Sequence, residues 1–204
     1  MRSVSRHHNK HRHDSSAPSI SPTTGPLQVL RGRKLLVLVD DENLRYSARD
    51  HGLKLSYTTL AQTLQRISRD CSLHTFFSRS GGDKRRSKYF DLAGWTVHVN
   101  NIESVHAARG TKHPANCDNF LLFTSGILAS RSQADTIVLA SGDGDLVCAL
   151  AQAICELPKK RTVVTMSIAG STSQRLNAAH NPNIAANIEI GMDMMRRHST
   201  RRYQ

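Results

Sequence analysis

The sequence predicts an α/β fold in which a mostly parallel sheet is covered by helices on both faces, that is, a three-layer α/β/α sandwich. From Lys34 onward, short apolar runs alternate with segments that repeat apolar residues at helical spacing. The apolar runs are nearly continuous, which is typical of strands buried on both faces. The 204 residues are enough for one such domain and its tails.

The predicted elements follow one another in order along the chain. Strands are predicted at 34–40, 72–78, 95–100, 136–141 and 162–168. Helices are predicted at 57–69, 83–93, 115–130 and 145–156, where apolar residues recur three or four positions apart. The domain is expected to extend over 34–190. Residues 1–30 lack periodicity and are expected to form a disordered basic tail, and 191–204 a second basic tail.

Positive charge is concentrated in the two tails. The chain has a net charge of +12. Six Lys or Arg and one Asp give residues 1–33 a charge of +5, and four Arg give residues 196–204 a charge of +4. Basic tails suit a polyanion, and nucleic acid is the usual one, with a merely solubilising terminus as the alternative.

Composition argues against several other classes of protein. No apolar stretch reaches the roughly 18 residues that span a bilayer, and the N-terminus lacks the apolar segment of a secretory signal. The four cysteines lie in apolar surroundings without CxxC spacing, so we expect reduced thiols and a cytoplasmic location. No GxxxxGK[ST] or GxGxxG sequence is present, so no nucleotide cofactor is expected.

Acidic residues follow two predicted strands at their carboxyl ends. The strand at 34–40 leads into DDEN at 40–43, and the strand at 136–141 leads into SGDGD at 141–145. Uncompensated charges beside a core are costly, which suggests carboxylates gathered around a hard cation such as Mg²⁺ or Mn²⁺. Ligands of open parallel sheets bind beyond the carboxyl ends of the strands, where the strand order reverses. A simple turn is the alternative for the Asp-Gly pairs.

Four aspartates are the candidate catalytic residues and metal ligands: Asp40, Asp118, Asp143 and Asp145. Asp118 lies near the start of the helix predicted at 115–130, where it either caps the helix or points into the same crevice. Clustered carboxylates raise one another's pKa values, and a bound cation relieves the repulsion. Because such a cation neutralises phosphate and activates water, a phosphoester-cleaving hydrolase is predicted. Asn43 and Ser141 are expected to help position the phosphate.

A dense basic run follows the second predicted strand. Four of its side chains are candidates for binding the phosphate backbone of the substrate: Lys84, Arg85, Arg86 and Lys88. The alternative is an ordinary solvated face. Ser171 is a further candidate, because a helix N-terminus after the last predicted strand would favour phosphate.

At these motifs the chain resembles the NYN domains of the PIN-like nuclease group. VDDENL at 39–44 is similar to the first motif of that family, and SGDGDL at 141–146 is similar to its strand-end motif. CDNFLL at 117–122 resembles the segment in which a helix supplies one more Asp. The resemblance covers 34–190 and implies a PIN-like, Rossmann-like domain. It further implies a Mg²⁺- or Mn²⁺-dependent ribonuclease site, with RNA as the partner.

Departures from the family pattern keep two alternatives open. Asp41 replaces the usual glycine and adds a charge, and Thr124 lies where a further Asp is often found. A non-catalytic RNA-binding module of the same fold is therefore one alternative. A haloacid-dehalogenase-like phosphatase is the other, although that class needs an Asp where this chain has Glu42. The oligomeric state, including a homodimer, is left open.

Overall fold

A six-stranded sheet forms the centre of the computed structural model, which describes residues 26–80, 84–102, 105–107, 110–112 and 117–197. The elements in chain order are β1 Lys34–Asp40, α1 Asp41–Asp50, β2 Leu53–Leu55, α2 Tyr57–Ile67, β3 Asp70–Ser80, α3 Arg85–Leu92, β4 Thr96–Ile102, β5 Val105–Ala107, β6 Gly110–Lys112, α4 Asp118–Arg131, β7 Thr136–Ala140, α5 Gly144–Cys155, β8 Thr162–Ile168, β9 Ala186–Ile190 and β10 Met195–Arg197. Short 3-10 turns lie at Pro26–Leu30, Gln174–Leu176 and Met192–Met194.

The strand order of the sheet is β4-β3-β1-β7-β8-β9, and every neighbouring pair is parallel. Starting from β1 at the centre, the chain adds β3 and β4 on one side and then β7, β8 and β9 on the other. The order therefore reverses between β1 and β7. In doubly wound sheets this reversal opens a crevice at the carboxyl ends of the two strands, because their following connections leave in opposite directions.

The register of β1 and β7 aligns their carboxyl ends. Val39 pairs with Ala140, so Asp40 and Ser141 are the next residues along each strand. Both strands are buried along almost their whole length. The two acidic motifs therefore start at the same level, side by side, at the mouth of the crevice.

Two apolar clusters separate the helices into layers, which confirms the predicted three-layer α/β/α sandwich. Leu35, Val37 and Val39 of β1 face α1, α2 and α3, which contribute Leu44, Ala48, Leu60, Leu64 and Phe90. Leu36 and Leu38 face α4 and α5, which contribute Leu121, Ala129, Leu146, Val147 and Leu150. Each fully buried Leu or Val contributes about 1.5–3 kcal/mol to stability, so the continuous apolar strands hold both layers in place.

The tails are shorter than the sequence predicted. Leu30 is fully buried, and the backbone N–H of Gly32 donates to the Ile67 carbonyl, so 26–33 belong to the domain. The strand β10 pairs with β2 in a small antiparallel sheet, which places 195–197 in the domain rather than in the predicted tail at 191–204. Residues 1–25 and 198–204 of the predicted tails lie outside the described residues.

The predicted strands and helices are all present within a few residues of their expected bounds, except where the start of a predicted helix, at 83 or 115–116, lies outside the described residues. The helix α1, the strand β9 and the small pairs β2–β10 and β5–β6 were not predicted. All four cysteines are unpaired, as expected, although Cys155 is exposed rather than in the core. In the described part of the chain, no helix is long and apolar enough to cross a membrane.

Candidate functional site

The last residue of β1, Asp40, begins α1 without a connecting loop. Its Oδ1 accepts the backbone N–H of Asn43 at 3.1 Å, so the side chain is the N-cap of the helix. An N-cap of this kind contributes about 1 kcal/mol to stability. Asp40 is only 8% exposed, and the helix N-terminus places partial positive charge beside its carboxylate.

Asp143 has the same relation to α5 at the neighbouring strand. Its Oδ1 accepts the backbone N–H groups of Asp145 at 2.9 Å and Leu146 at 3.2 Å. Two helices of opposite layers therefore begin at the crevice, and each is capped by an aspartate. Capping alone explains why an aspartate or a similar residue is favoured at either position.

Side chains of one motif also bind the other motif across the crevice. The Ser141 hydroxyl donates to Oδ2 of Asp40 at 3.1 Å and accepts the Asp143 N–H at 3.2 Å. The side-chain oxygen of Asn43 accepts the Gly142 N–H at 2.7 Å. Asn43 and Ser141 therefore fix the two acidic segments relative to each other, and their role in positioning phosphate stays a prediction.

Close packing against the segment after β8 explains the glycines of SGDGD. A Cβ at Gly142 would lie 2.5 Å from the Ser171 carbonyl oxygen and 3.2 Å from Oδ1 of Asn43. A Cβ at Gly144 would overlap Ser173. The backbone of the motif can approach the 171–173 segment only without these side chains, so the glycines serve packing as well as turning.

Three of the four predicted carboxylates, Asp40, Asp118 and Asp143, lie close together at the crevice. Burial raises the pKa of Asp40, and the negative charges of Asp118 and Asp143 raise it further. Hydrogen bonds from Asn43 and Ser141 oppose the shift. Burial also raises the pKa of Asp118, the first residue of α4, with a further contribution from Asp143. The start of α4 thus brings Asp118 to the same crevice.

Glu42 is a fourth member of the site that sequence reasoning missed. Burial raises its pKa, and the charges of Asp40 and Asp118 raise it further, whereas Arg45 and a hydrogen bond from the Ser78 backbone lower it. Its position in the first turn of α1, two residues after the N-cap, was the available signal. We call Asp40, Glu42, Asp118 and Asp143 the acidic cluster.

Asp145 is separated from the acidic cluster. Its side chain is 85% exposed and forms an ion pair with Arg175. It is not among the carboxylates that raise the pKa of Asp40 or Asp118. As the second residue of α5, Asp145 occupies a helix surface position, whereas Asp143 precedes the helix and caps it.

The extra charge at Asp41 is also neutralised inside the protein. Asp41 is 1% exposed and forms an ion pair with Arg86 of α3. The Arg86 guanidinium also lies over the Phe77 ring, 4.3 Å from its centre. Burial lowers the pKa of Arg86 to about 10. Arg86 therefore holds α3 against α1 beside the crevice, in addition to any contact with substrate.

The other predicted substrate-binding residues lie at the start of α3 and in the segment after β8. Lys84, Arg85 and Lys88 are exposed at the start of α3. The Ser171 hydroxyl is 3.2 Å from Nε2 of His51. The turn at 81–83, which precedes α3, lies outside the described residues.

The donor set of the acidic cluster fits a hard divalent cation in its chemistry. All its donors are carboxylate oxygens, and their mutual repulsion is what a cation would relieve. Among the described residues, however, no three His, Cys, Asp or Glu side chains are close enough to enclose a metal ion. Mg²⁺ keeps several of its waters in such sites, so an open set of carboxylates is compatible with it.

Comparison with known proteins identifies the fold alone. No protein-family model matches the chain, and no curated protein matches it. A solved protein of unknown function from Vibrio parahaemolyticus is similar in structure, with a TM-score of 0.65 and 19% sequence identity. The match covers 81% of this chain and 98% of that protein. The α/β/α architecture is therefore shared with a natural protein, and a shared fold does not specify an activity.

Proposed function

We propose that this protein is a Mg²⁺- or Mn²⁺-dependent ribonuclease whose site is the crevice between β1 and β7. The observation that carries the proposal is the convergence of Asp40, Asp118 and Asp143, distant in sequence: burial raises the pKa values of Asp40 and Asp118, and the neighbouring carboxylates raise them further. Residues with perturbed pKa values in a crevice are typical of functional sites. The resemblance of the motifs at 39–44 and 141–146 to NYN domains adds independent support.

In this proposal each residue has a distinct role at the crevice. Asp40, Asp118 and Asp143 hold the cation, which when bound neutralises phosphate charge and activates water. Ser141 and the Asn43 N–H orient the Asp40 carboxylate, and the Asn43 side chain fixes the Gly142 backbone. Glu42 is suited to exchange a proton with water or with the leaving oxygen, since its raised pKa is closer to neutrality.

RNA is the proposed substrate because of charge as well as resemblance. The net charge of +12 favours a polyanion as the partner. Arg86 of α3 pairs with Asp41, the residue after Asp40, so the basic start of α3 lies near the acidic cluster. The unpaired cysteines support a reducing compartment, and we propose a cytoplasmic location.

A matched pair of variants in one motif tests the proposal. Asp143→Asn keeps a good N-cap but removes a charge from the acidic cluster, whereas Asp145→Asn removes a charge outside it. With single-stranded and structured RNA, we expect cleavage in Mn²⁺ or Mg²⁺ and none in EDTA. Asp143→Asn should reduce the rate by about 100-fold or more, and Asp145→Asn only by a few-fold.

One observation favours the non-catalytic RNA-binding module instead, namely that no three potential metal-binding side chains of the described residues form a closed group. RNA binding without metal-dependent cleavage would identify that function. Turnover of a small phosphomonoester without RNA cleavage would indicate the phosphatase. Equal loss of activity in Asp143→Asn and Asp145→Asn would contradict the assignment of the cluster.

A further inference from the structure

A cavity of about 420 Å³ lies between α1, β2, the start of α2 and α3, beside the crevice. Five cations and a single carboxylate are among the residues that line it: Arg45, Arg49, Lys54, Arg85, Arg86 and Asp41. Asp41 pairs with Arg86 and Asp50 lies 3.9 Å from Arg49, and the five cations outnumber these two carboxylates, so the cavity wall carries a net positive charge. We propose that this basic cavity binds a nucleotide through its phosphate group.

Buried polar atoms beside the cavity have hydrogen-bonding capacity to spare. Tyr57 lines the cavity and is 5% exposed, yet its hydroxyl has no hydrogen-bond partner among the described residues. The same holds for Nε of Arg45. A buried polar group without a partner is unfavourable, so a ligand that accepts a hydrogen bond here would gain affinity by satisfying it. Burial raises the pKa of Tyr57, so its hydroxyl remains a donor at neutral pH.

The remaining wall is apolar and aromatic. Leu53, Leu55, Tyr89 and Phe90 line it together with the Tyr57 ring. The Tyr57 and Phe90 rings contact each other edge to face, with centres 4.7 Å apart. An inorganic anion would use only the cations, whereas a nucleotide would also place its base and sugar against the apolar wall. The volume is within the range of small-ligand pockets.

This inference goes beyond the proposed function and does not require that the protein cleave RNA. Asp41 and Arg86 line the cavity, and Asp41 adjoins Asp40 of the acidic cluster, so a nucleotide in the cavity lies close to the crevice. The nucleotide could be free or could be the 5′-phosphorylated end of a strand. Both sources offer the same group, a phosphate monoester on a nucleoside.

Calorimetric titration of the full-length protein in EDTA tests the cavity without cleavage. The probes are adenosine 5′-monophosphate, adenosine and inorganic phosphate. We expect the monophosphate to bind at least about 10-fold more tightly than either fragment, since only it engages both walls. Asp143→Asn should bind it as tightly as the unchanged protein, so the cavity and the ribonuclease proposal can fail separately.

Three variants locate the bound phosphate. Tyr57→Phe removes only the unpartnered hydroxyl and keeps the ring contacts, and we expect it to weaken monophosphate binding by about 10-fold. Lys54→Gln should weaken binding by about 5-fold or more. Arg66→Gln, which removes an exposed cation of α2 outside the cavity, should change it less than about 2-fold. Circular dichroism of each variant controls for loss of fold.

Competition with short RNA strands then distinguishes the two sources. Displacement of the monophosphate by a 5′-phosphorylated strand, but not by the same strand with a 5′-hydroxyl, assigns the cavity to strand ends. If neither strand displaces the monophosphate, the cavity is assigned to free nucleotides. The proposal is overturned if millimolar monophosphate does not bind, or if Tyr57→Phe and Lys54→Gln bind it as the unchanged protein does.

Discussion

The side chain of Asp40 combines a structural gain with an electrostatic cost. It caps α1 and accepts a hydrogen bond from Ser141, but its carboxylate is buried beside two other carboxylates. Because its pKa in the folded protein is raised, folding is favoured by this group at low pH, and that contribution is lost as the pH rises through the raised value. At neutral pH without a cation, the charge on Asp40 therefore lowers the free energy of unfolding.

The first prediction separates this charge from its hydrogen bonds. Asp40→Asn keeps the cap but removes the charge, and we expect it to raise the free energy of unfolding at pH 7 by about 0.5–2 kcal/mol in EDTA. RNA cleavage should be lost in the same variant. Ser141→Ala keeps the charge but removes one of its donors, and we expect it to lower the free energy of unfolding by about 1 kcal/mol.

Urea unfolding of the three proteins in EDTA provides the measurement. If the free energy of unfolding rises in Asp40→Asn and falls in Ser141→Ala, the charge on Asp40 destabilises the folded protein while its hydrogen bond from Ser141 stabilises it. If Asp40→Asn were as destabilising as Ser141→Ala, the capping and hydrogen-bonding roles of Asp40 would outweigh the cost of its charge.

Individual residue positions also mark the limit of what the sequence could predict. The strand ends identified Asp40 and Asp143, because a carboxylate directly after a buried strand is uncommon. Spacing alone could not separate Asp145 from the cluster, since the distinction depends on which residue caps α5 and which lies on its surface. The pairing of Asp41 with Arg86 depends on how α3 packs against α1, a contact between segments distant in sequence.

At the level of elements, the turn between β7 and α5 depends on glycine. The Gly142 N–H is bound to Asn43, so its backbone is held in place while the Ser171 carbonyl lies where a Cβ would be. Overpacking of this kind costs about 1–3 kcal/mol. The motif therefore joins the acidic cluster to the segment after β8 through its backbone.

The second prediction compares Gly142, in the turn between β7 and α5, with Gly126, inside the helix α4. Gly142→Ala should lower the free energy of unfolding by about 1–3 kcal/mol and reduce cleavage, because the crevice must widen to accept the methyl group. Gly126→Ala is the matched control, since a Cβ there meets nothing within 4 Å in the helix α4. It should raise the free energy of unfolding by about 0.5–1 kcal/mol, as Ala favours helix over Gly. A melting temperature for Gly142→Ala at or above that of the unchanged protein would contradict the packing.

A histidine pair links β3 to β4 within the sheet. Nδ1 of His74 is 2.9 Å from Nε2 of His98, and Nε2 of His74 is 2.8 Å from the Ser72 hydroxyl. His74 is 8% exposed, and burial, followed by the neighbouring His98, lowers its pKa to about 4. Burial also lowers the pKa of His98. Both rings are therefore neutral in the folded protein at neutral pH.

The third prediction concerns stability in acid. Between an unfolded pKa of about 6.5 and the folded value of about 4, the unfolded chain binds more protons at His74 than the folded protein does. Its contribution to stability is thus complete above pH 6.5 and falls as the pH drops toward 4, by at most about 3 kcal/mol. His74→Gln should flatten the dependence of the unfolding free energy on pH in this window. Asp40, Glu42 and Asp118 act in the opposite direction in both proteins, so equal slopes would refute the assignment to His74.

Elements differed in how well their sequences predicted them. The central strands were found because both of their faces are buried and their sequences are apolar throughout. The helix α1 was missed because nine of its ten residues are not strongly apolar and only Leu44 and Ala48 supply an apolar buried face. The strand β9 alternates buried and exposed residues at the edge of the sheet, and β2 and β10 are three residues each, too short to show a period.

For the molecule as a whole, topology determines where the acidic cluster lies. The strand order reverses at β1 and β7, and the two acidic motifs follow these two strands. The rule for open parallel sheets therefore predicts the crevice from the strand order alone. The basic cavity could not be inferred in this way, because its cations come from α1, β2 and α3 and converge only through the packing of that layer.

The distribution of charge over the molecule leads to the last prediction. Six cations lie in the segments 1–25 and 198–204, namely Arg2, Arg6, Lys10, Arg12, Arg201 and Arg202. If they contact the RNA backbone, each contact releases counterions, and binding to a single strand weakens with salt by a slope of about 0.7 per phosphate neutralised. Replacing all six with Gln in the Asp143→Asn protein should therefore reduce the slope of log K against log salt by up to about 4. Fluorescence anisotropy with labelled RNA between about 50 and 200 mM salt measures this slope.

In the protein with Asp143 intact, the same replacements should leave the cleavage rate at saturating RNA within a few-fold, because the acidic cluster, and not the tails, is expected to carry the chemistry. An unchanged slope would show that the tails do not contact the RNA, and a large loss of rate at saturation would place them at the site of reaction.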